Sequence, residues 1–159
     1  IPMLNSELSL VVDNVRSALN VGALFRTADA AGVVKMYLCG YTPTPEHSKI
    51  AKTALGAEQV LSWEHHAQTW RLLEKLKRSG VSVIALEQSP SSVDYRKFKP
   101  QFPLALVVGN EVGGLSRRVL ARCDGAIALP MRGSKESLNV AVAFGIAAYK
   151  LIEKRGLVA

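Results

Sequence analysis

The 159 residues are 48% hydrophobic and 21% charged with no low-complexity tract, which excludes a disordered or fibrous chain and allows one domain around one core. A net charge of +7 and a pI of about 9.7 fit a protein that meets phosphate, and no apolar run reaches the roughly 20 residues of a membrane-spanning helix. The start Ile1-Pro2-Met3-Leu4 lacks a secretory layout, so a cytosolic protein is expected, and beginning at Ile1 suggests a domain excised from a longer chain with an N-terminal extension.

The first predicted strand, 8–12, leads to Asn20-Val21-Gly22-Ala23-Leu24-Phe25-Arg26-Thr27-Ala28, with Asn20 expected to cap a helix over 21–31 that ends at Gly32. One-turn spacing then places Asn20 and Arg26 toward one loop region. A guanidinium near a helix N-terminus opposes the macrodipole, so Arg26 is either held for a substrate phosphate or reacting oxygen, or is an ordinary surface arginine. A strand at 33–38, a helix at 47–55 and a strand at 59–63 follow, with Trp63 and Trp70 expected in the core. Adjacent His65 and His66 have no partner at metal-ligand spacing, so no metal is expected. The basic residues Lys75, Lys77 and Arg78 of a helix at 67–79 fit a solvated face as well as a phosphate-binding one.

After a strand at 81–86, the proline-rich segment 88–103 is an irregular loop of the kind often found to be functional. The apolar strand 104–108 runs into Gly109-Asn110-Glu111-Val112-Gly113-Gly114-Leu115-Ser116, whose glycines permit close backbone approach to a ligand. The loop is neither GxGxxG nor a Walker A sequence, which disfavours a dinucleotide oxidoreductase. Glu111 could hold a ligand hydroxyl or amine, or brace the turn by accepting backbone N–H groups. A helix at 116–122 and a strand at 126–129 lead to Pro130-Met131-Arg132-Gly133-Ser134-Lys135-Glu136-Ser137-Leu138-Asn139-Val140. There Ser137 either caps the last helix, 138–154, or leaves its free N–H groups to a ligand. That helix is apolar on nearly every side, as suits a core helix or one partly covered by a second subunit. Alternating strands and helices imply an α/β fold, a mainly parallel sheet flanked by helices, with ligands at the carboxyl ends of the strands. The two cysteines, Cys39 and Cys123, have no CxxC spacing and are expected to be buried free thiols.

The three segments resemble, in order, the motifs of the SpoU/TrmH family of the SPOUT RNA methyltransferases: N-x-G-A-x-x-R-T-A, a strand ending G-x-E-x-x-G-L, and P-M-x-G-x-x-x-S-L-N-V. The similarity spans nearly the whole chain; Ala141 departs from the serine that many members carry after the Asn-Val pair. The resemblance implies a single SPOUT domain with a C-terminal trefoil knot, a homodimer, and 2′-O-ribose methylation of structured tRNA or rRNA from S-adenosylmethionine. It implies that Leu86, Gly109, Leu129, Met131, Ser137 and Leu138 line the cofactor loops. Arg26 matches the family's catalytic arginine, supported by Asn20, Glu111 and Asn139. Because arginine keeps its proton in proteins, stabilisation of a developing alkoxide and grip on a phosphate suit Arg26 better than a general-base role. A catalytically inactive RNA-binding module on the same fold is the alternative, and all these site residues being present speaks against it. Arg16, Lys49, Lys52 and Arg132 are expected among the phosphate contacts.

Overall fold

The computed structural model describes residues 6–155. In chain order its elements are β1 (Leu8–Asp13), α1 (Ala18–Ala31), β2 (Lys35–Cys39), α2 (Ile50–Ala54), α3 (Ala57–Val60), β3 (Trp63–His66), α4 (Thr69–Arg78), β4 (Ser82–Leu86), β5 (Val93–Asp94), β6 (Leu104–Val108), α5 (Arg117–Leu120), β7 (Gly125–Ala128) and α6 (Val140–Arg155). The strands form one sheet in the order β3-β2-β1-β6-β4-β7-β5, and each pairing between them is parallel.

A parallel sheet covered on both faces needs central strands that are apolar throughout, and β6, Leu-Ala-Leu-Val-Val, is buried at every position. Its side chains alternate between two cores. Leu104, Leu106 and Val108 join Phe25 of α1 and Phe144 of α6, whereas Ala105 and Val107 face Leu73 of α4 and Val119 of α5. Each large side chain so buried contributes roughly 1.5–3 kcal/mol relative to exposure. Gly22 lets α1 lie directly on α2, because a Cβ there would stand 2.3 Å from the Ile50 carbonyl oxygen. Burial pushes the Cys39 and Cys123 thiols up to about 12, in keeping with unreactive free cysteines.

Several elements differ from expectation, each for a local reason. Helix α1 starts at Ala18 because Ser17, not Asn20, is its N-cap: the Ser17 hydroxyl accepts the Asn20 backbone N–H at 3.1 Å. Arg26 therefore sits near the middle of α1, and the macrodipole has no bearing on it. At 59–63 the chain is not a strand; Gly56 at φ 95° turns it into α3, Val60 points outward at 74% exposure, and the strand starts only at Trp63. The expected helix over 47–55 shortens to α2, preceded by a turn in which the His47 ring accepts the Lys49 N–H. Within 88–103, Val93 and Asp94 pair with Ile127 and Ala128, too short a run to leave a periodic signal. On α6, Phe144, Ala147, Ala148 and Leu151 are buried, but Val142, Ile146 and Tyr149 form an exposed row, so the helix is buried on one side only. Trp63 packs against the core as expected; Trp70 instead lies beneath the guanidinium groups of Arg71, Arg118 and Arg122.

Candidate functional site

A cleft of about 330 Å³ opens where the neighbouring strands β6, β4 and β7 end. This is the crevice outside the carboxyl edge of a parallel sheet, where α/β proteins place their ligands. Leu86, Val108, Leu129, Leu138 and Val140 supply apolar walls, and Gly109, Gly113 and Gly114 a stretch of bare backbone. Asn20, Glu111, Ser137 and Asn139 add polar groups. Eight of the ten residues singled out from sequence thus meet in one cleft, across four loops; Arg26 and Met131 lie outside its lining.

The polar residues form a directed chain. Asn139 occupies the N-cap position of α6, its Oδ1 accepting the N–H groups of Ala141 (2.9 Å) and Val142 (3.2 Å). Ser137, the expected cap, is exposed and two residues too early. With its oxygen so committed, Asn139 presents Nδ2 outward and donates to Asn20 Oδ1 at 3.0 Å. Asn20 in turn donates from Nδ2 to Glu111 Oε2 at 3.2 Å. Glu111 also accepts the backbone N–H groups of Arg16 (3.1 Å) and Ser17 (3.0 Å). Partial burial pushes the Glu111 carboxyl up, but the N–H groups of Ser17, Glu111 itself and Arg16, with the Asn20 amide, outweigh it and leave the pKa below the ordinary carboxylate value. Of the two roles open from sequence, the bracing one is filled: an ionised Glu111 ties the 109–115 loop to the start of α1.

The loop itself is held by side chains that carried no sequence motif. Asn110 Oδ1 accepts the N–H groups of Val112 and Gly113, each at 2.9 Å, while its Nδ2 donates to the Asn14 carbonyl (2.9 Å) and the Tyr41 hydroxyl (2.7 Å). Glu87 Oε2 accepts the Leu115 N–H at 2.8 Å beneath Gly114, whose φ of 66° favours glycine. Gln88 donates to the Leu129 carbonyl at 2.7 Å, joining the loops after β4 and β7. The signal for Glu87 and Gln88 was their place directly after a predicted strand end. Gly109 also differs in detail: a Cβ there would lie 2.6 Å from Leu115 Cδ2 and 2.9 Å from the Gly114 carbonyl carbon, so the close approach it permits is to its own loop.

Arg26 lines a second, shallower depression with Ala23, Thr27, Lys52, Thr53 and Tyr149. Its guanidinium is exposed and makes no hydrogen bond or ion pair with the described residues. Tyr149 belongs to the exposed row on α6 and donates its hydroxyl to the Ala30 carbonyl at 3.3 Å, so Arg26 borders an apolar surface shared by α1 and α6. His65 and His66 serve the sheet edge, against the Gly40 carbonyl and the Glu64 carboxylate.

A cleft at the strand ends of a parallel α/β sheet, lined by glycines and rimmed by a hydrogen-bonded Asn-Asn-Glu chain, is the place where such folds bind ligands. The chain belongs to the SpoU rRNA Methylase family, whose model matches residues 7–149. It is 36% identical over 152 residues to the 23S rRNA (guanosine-2′-O-)-methyltransferase RlmB of Ralstonia nicotianae, covering 95% of this chain and 60% of that protein. The chain spans about three-fifths of the length of the curated relatives it matches. Among solved structures, the TrmH/SpoU tRNA modifying enzyme of A. aeolicus superposes with a TM-score of 0.85 at 30% identity, covering 97% of this chain and 79% of that one. The SpoU methyltransferase AviRb of Streptomyces viridochromogenes, in complex with AdoMet, superposes with a TM-score of 0.88 at 25% identity, covering 99% and 64%.

Proposed function

We propose that this chain is the catalytic domain of an S-adenosylmethionine-dependent RNA 2′-O-ribose methyltransferase that acts on transfer or ribosomal RNA as a homodimer. The observation that carries this is the Asn139–Asn20–Glu111 chain at the rim of the strand-end cleft, within a chain of the SpoU family. The 2′-O-methyltransferase and AdoMet-bound relatives support the reaction and the cofactor.

The residues fit that cofactor. The cleft lies at the lower end of the size range of small-ligand sites, its apolar walls at Leu86, Leu129 and Leu138 suit a flat purine, and Gly113 adds no side chain to its lining. When bound, the cofactor supplies an electrophilic methyl group. The protein's part is to place the ribose hydroxyl in line with it, because positioning alone removes much of such a barrier. Asn20 and Asn139, locked in orientation by each other and by Glu111, are fixed dipoles at the rim suited to orient the ribose. Glu111 already accepts three hydrogen bonds and has its pKa lowered, so it positions Asn20 rather than taking the proton. The Arg26 guanidinium stabilises the developing alkoxide and grips the neighbouring phosphate, while the proton leaves to solvent.

The place of Arg26 supports a composite site. It lies outside the cleft of its own chain, beside the exposed row Val142, Ile146 and Tyr149, a face suited to a second copy. In a two-fold dimer built on that face, Arg26 of each subunit serves the cleft of the other. The trefoil knot of the C-terminal third belongs to the same reading and rests on membership of the family. The decisive experiment incubates the protein with methyl-labelled S-adenosylmethionine and bulk tRNA or rRNA, then identifies labelled nucleosides by mass spectrometry. A 2′-O-methylated nucleoside is expected; label on a base, or no transfer to either RNA, overturns the proposal.

A further inference from the structure

On the face of the sheet opposite α1 and α6, Trp70 carries three guanidinium groups. Those of Arg118, Arg122 and Arg71 lie 4.7, 5.0 and 5.2 Å from its ring centroid. Only Arg122 is paired, donating to Glu74 at 3.2 Å and to the Arg118 carbonyl at 3.0 Å. The guanidinium groups of Arg71 and Arg118 make no hydrogen bond or ion pair with the described residues. Stacking on an indole orients a guanidinium plane and leaves its N–H fork free, the geometry that takes a phosphate in two hydrogen bonds.

The surroundings add charge of the same sign. Segments 69–79 and 116–124 together hold seven cations and two carboxylates, a net +5 within a chain of net +7. Lys75 and Arg78 are exposed on α4, and Lys77 stands 3.5 Å from Asp124. Seven like charges on one face repel one another, and two carboxylates do not neutralise them; a polyanion does. The face is also continuous with the cleft. Gly113 and Gly114 line the cleft, Ser116 caps α5 by accepting the Val119 N–H at 3.2 Å, and Arg117 and Arg118 follow at once.

We propose that this arginine face centred on Trp70 binds the phosphate backbone of the RNA whose ribose enters the cleft. The proposal rests on the RNA methyltransferase reading above and adds a second contact surface, away from the apolar face of α6. Phosphate contact is assigned to it, since a net +5 concentrated in these two segments is matched by a backbone that carries one charge per nucleotide.

The test compares two double variants of equal charge loss, Arg71→Gln with Arg118→Gln, and Lys97→Gln with Lys99→Gln, two exposed lysines within the 88–103 loop. Affinity for bulk transfer RNA is measured by filter binding over a range of salt, and affinity for S-adenosylhomocysteine by calorimetry. The arginine pair should lose about tenfold or more in RNA affinity, and its log–log salt slope should flatten by about 1.5, roughly 0.7–0.9 per phosphate contact. The lysine pair should change less than about threefold by the same counterion argument, and both should keep S-adenosylhomocysteine affinity. Equal losses in the two variants, or no loss in the arginine pair, overturn the proposal. Failure of the underlying reading is separate and shows as an unmodified protein that binds no S-adenosylhomocysteine.

Discussion

The side-chain amide of Asn139 donates to Asn20 Oδ1 at 3.0 Å, across 119 residues of sequence, and fastens the start of α6 to the start of α1. Asn139 therefore does two jobs, capping one helix and orienting a residue of another, and substitutions can separate them. Asn139→Ala loses both and should cost about 1–2 kcal/mol, the usual penalty for a lost cap. Asn139→Asp keeps the cap and adds a favourable charge at the helix N-terminus, so thermal stability should be retained. Its carboxylate cannot donate to Asn20 Oδ1, so methyl transfer should still fall by about tenfold or more, the loss of one aligned catalytic dipole. Equal activity of wild type and Asn139→Asp would remove the orienting role.

Acid should loosen the same tie. The folded pKa of Glu111 lies below its unfolded value because the N–H donors outweigh burial, so its stabilising contribution is present above the unfolded pKa and is lost as pH falls through the folded one. The melting-temperature difference between wild type and Glu111→Gln should thus be largest near neutral pH. It should shrink steadily below the ordinary carboxylate range. A difference independent of pH between 7 and 3, read by calorimetry in this acid window, would contradict ionised bracing.

Substitution at Gly109 should act through the loop. A Cβ would meet Leu115 and the Gly114 backbone, and overpacking of this kind costs about 1–3 kcal/mol. Gly109→Ala should weaken S-adenosylhomocysteine binding, and adding Leu115→Ala should recover part of the loss by removing the nearer obstacle. If the two changes are simply additive in calorimetry, the contact between them is not the cause.

The strand-end cleft was legible in sequence because buried parallel strands read as unbroken apolar runs, and the loops after them carry the unusual residues. Which residue caps was not legible: Ser17 and Asn20 both favour N-caps, as do Ser137 and Asn139, and tertiary hydrogen bonds decided each case. Gly22 and Thr27 sit inside a motif that suggests ligand chemistry, yet Gly22 meets α2, and Thr27 Cγ2 would be 3.1 Å from a Cβ at Gly145 of α6. Glu87, Gln88 and Asn110 were not legible as loop braces because their bonds to Leu115, Leu129 and Asn14 span 28 to 96 residues. The arginine surroundings of Trp70 were not legible either, since composition does not tell a half-buried indole under guanidinium groups from a packed one.

Lys154 near the end of α6 donates to the carbonyls of Arg96 (2.5 Å), Phe98 (2.6 Å) and Tyr95 (3.4 Å), holding the segment after β5 against the helix. Lys154→Met keeps the aliphatic stem and leaves these acceptors to water, so the cost should be about 1–3 kcal/mol. Hydrogen exchange should rise around Tyr95, whose N–H bonds the Ala128 carbonyl, and stay unchanged in β1 and β6. Exchange rising uniformly over the sheet would mean that Lys154 supports the whole fold instead of this strap.

The composite site makes the most demanding prediction. Arg26 lies outside the cleft of its own chain and beside the exposed Tyr149, whereas Gly109 and Glu111 line the cleft. If each site joins a cleft from one subunit to Arg26 of the other, Arg26→Ala and Gly109→Val damage opposite halves of it. Each parent homodimer then has two dead sites, but a mixed dimer has one site with both defects and one with neither. Random exchange makes about half of the dimers mixed, so activity should return to about a quarter of wild type per protomer by two-fold counting. Co-expression with two different tags provides the exchange, because a large apolar interface separates slowly. Both parents must still run as dimers, which guards against an unfolded Gly109→Val subunit. Doubly tagged dimers that stay inactive while both parents remain dimeric would place Arg26 in the service of its own chain.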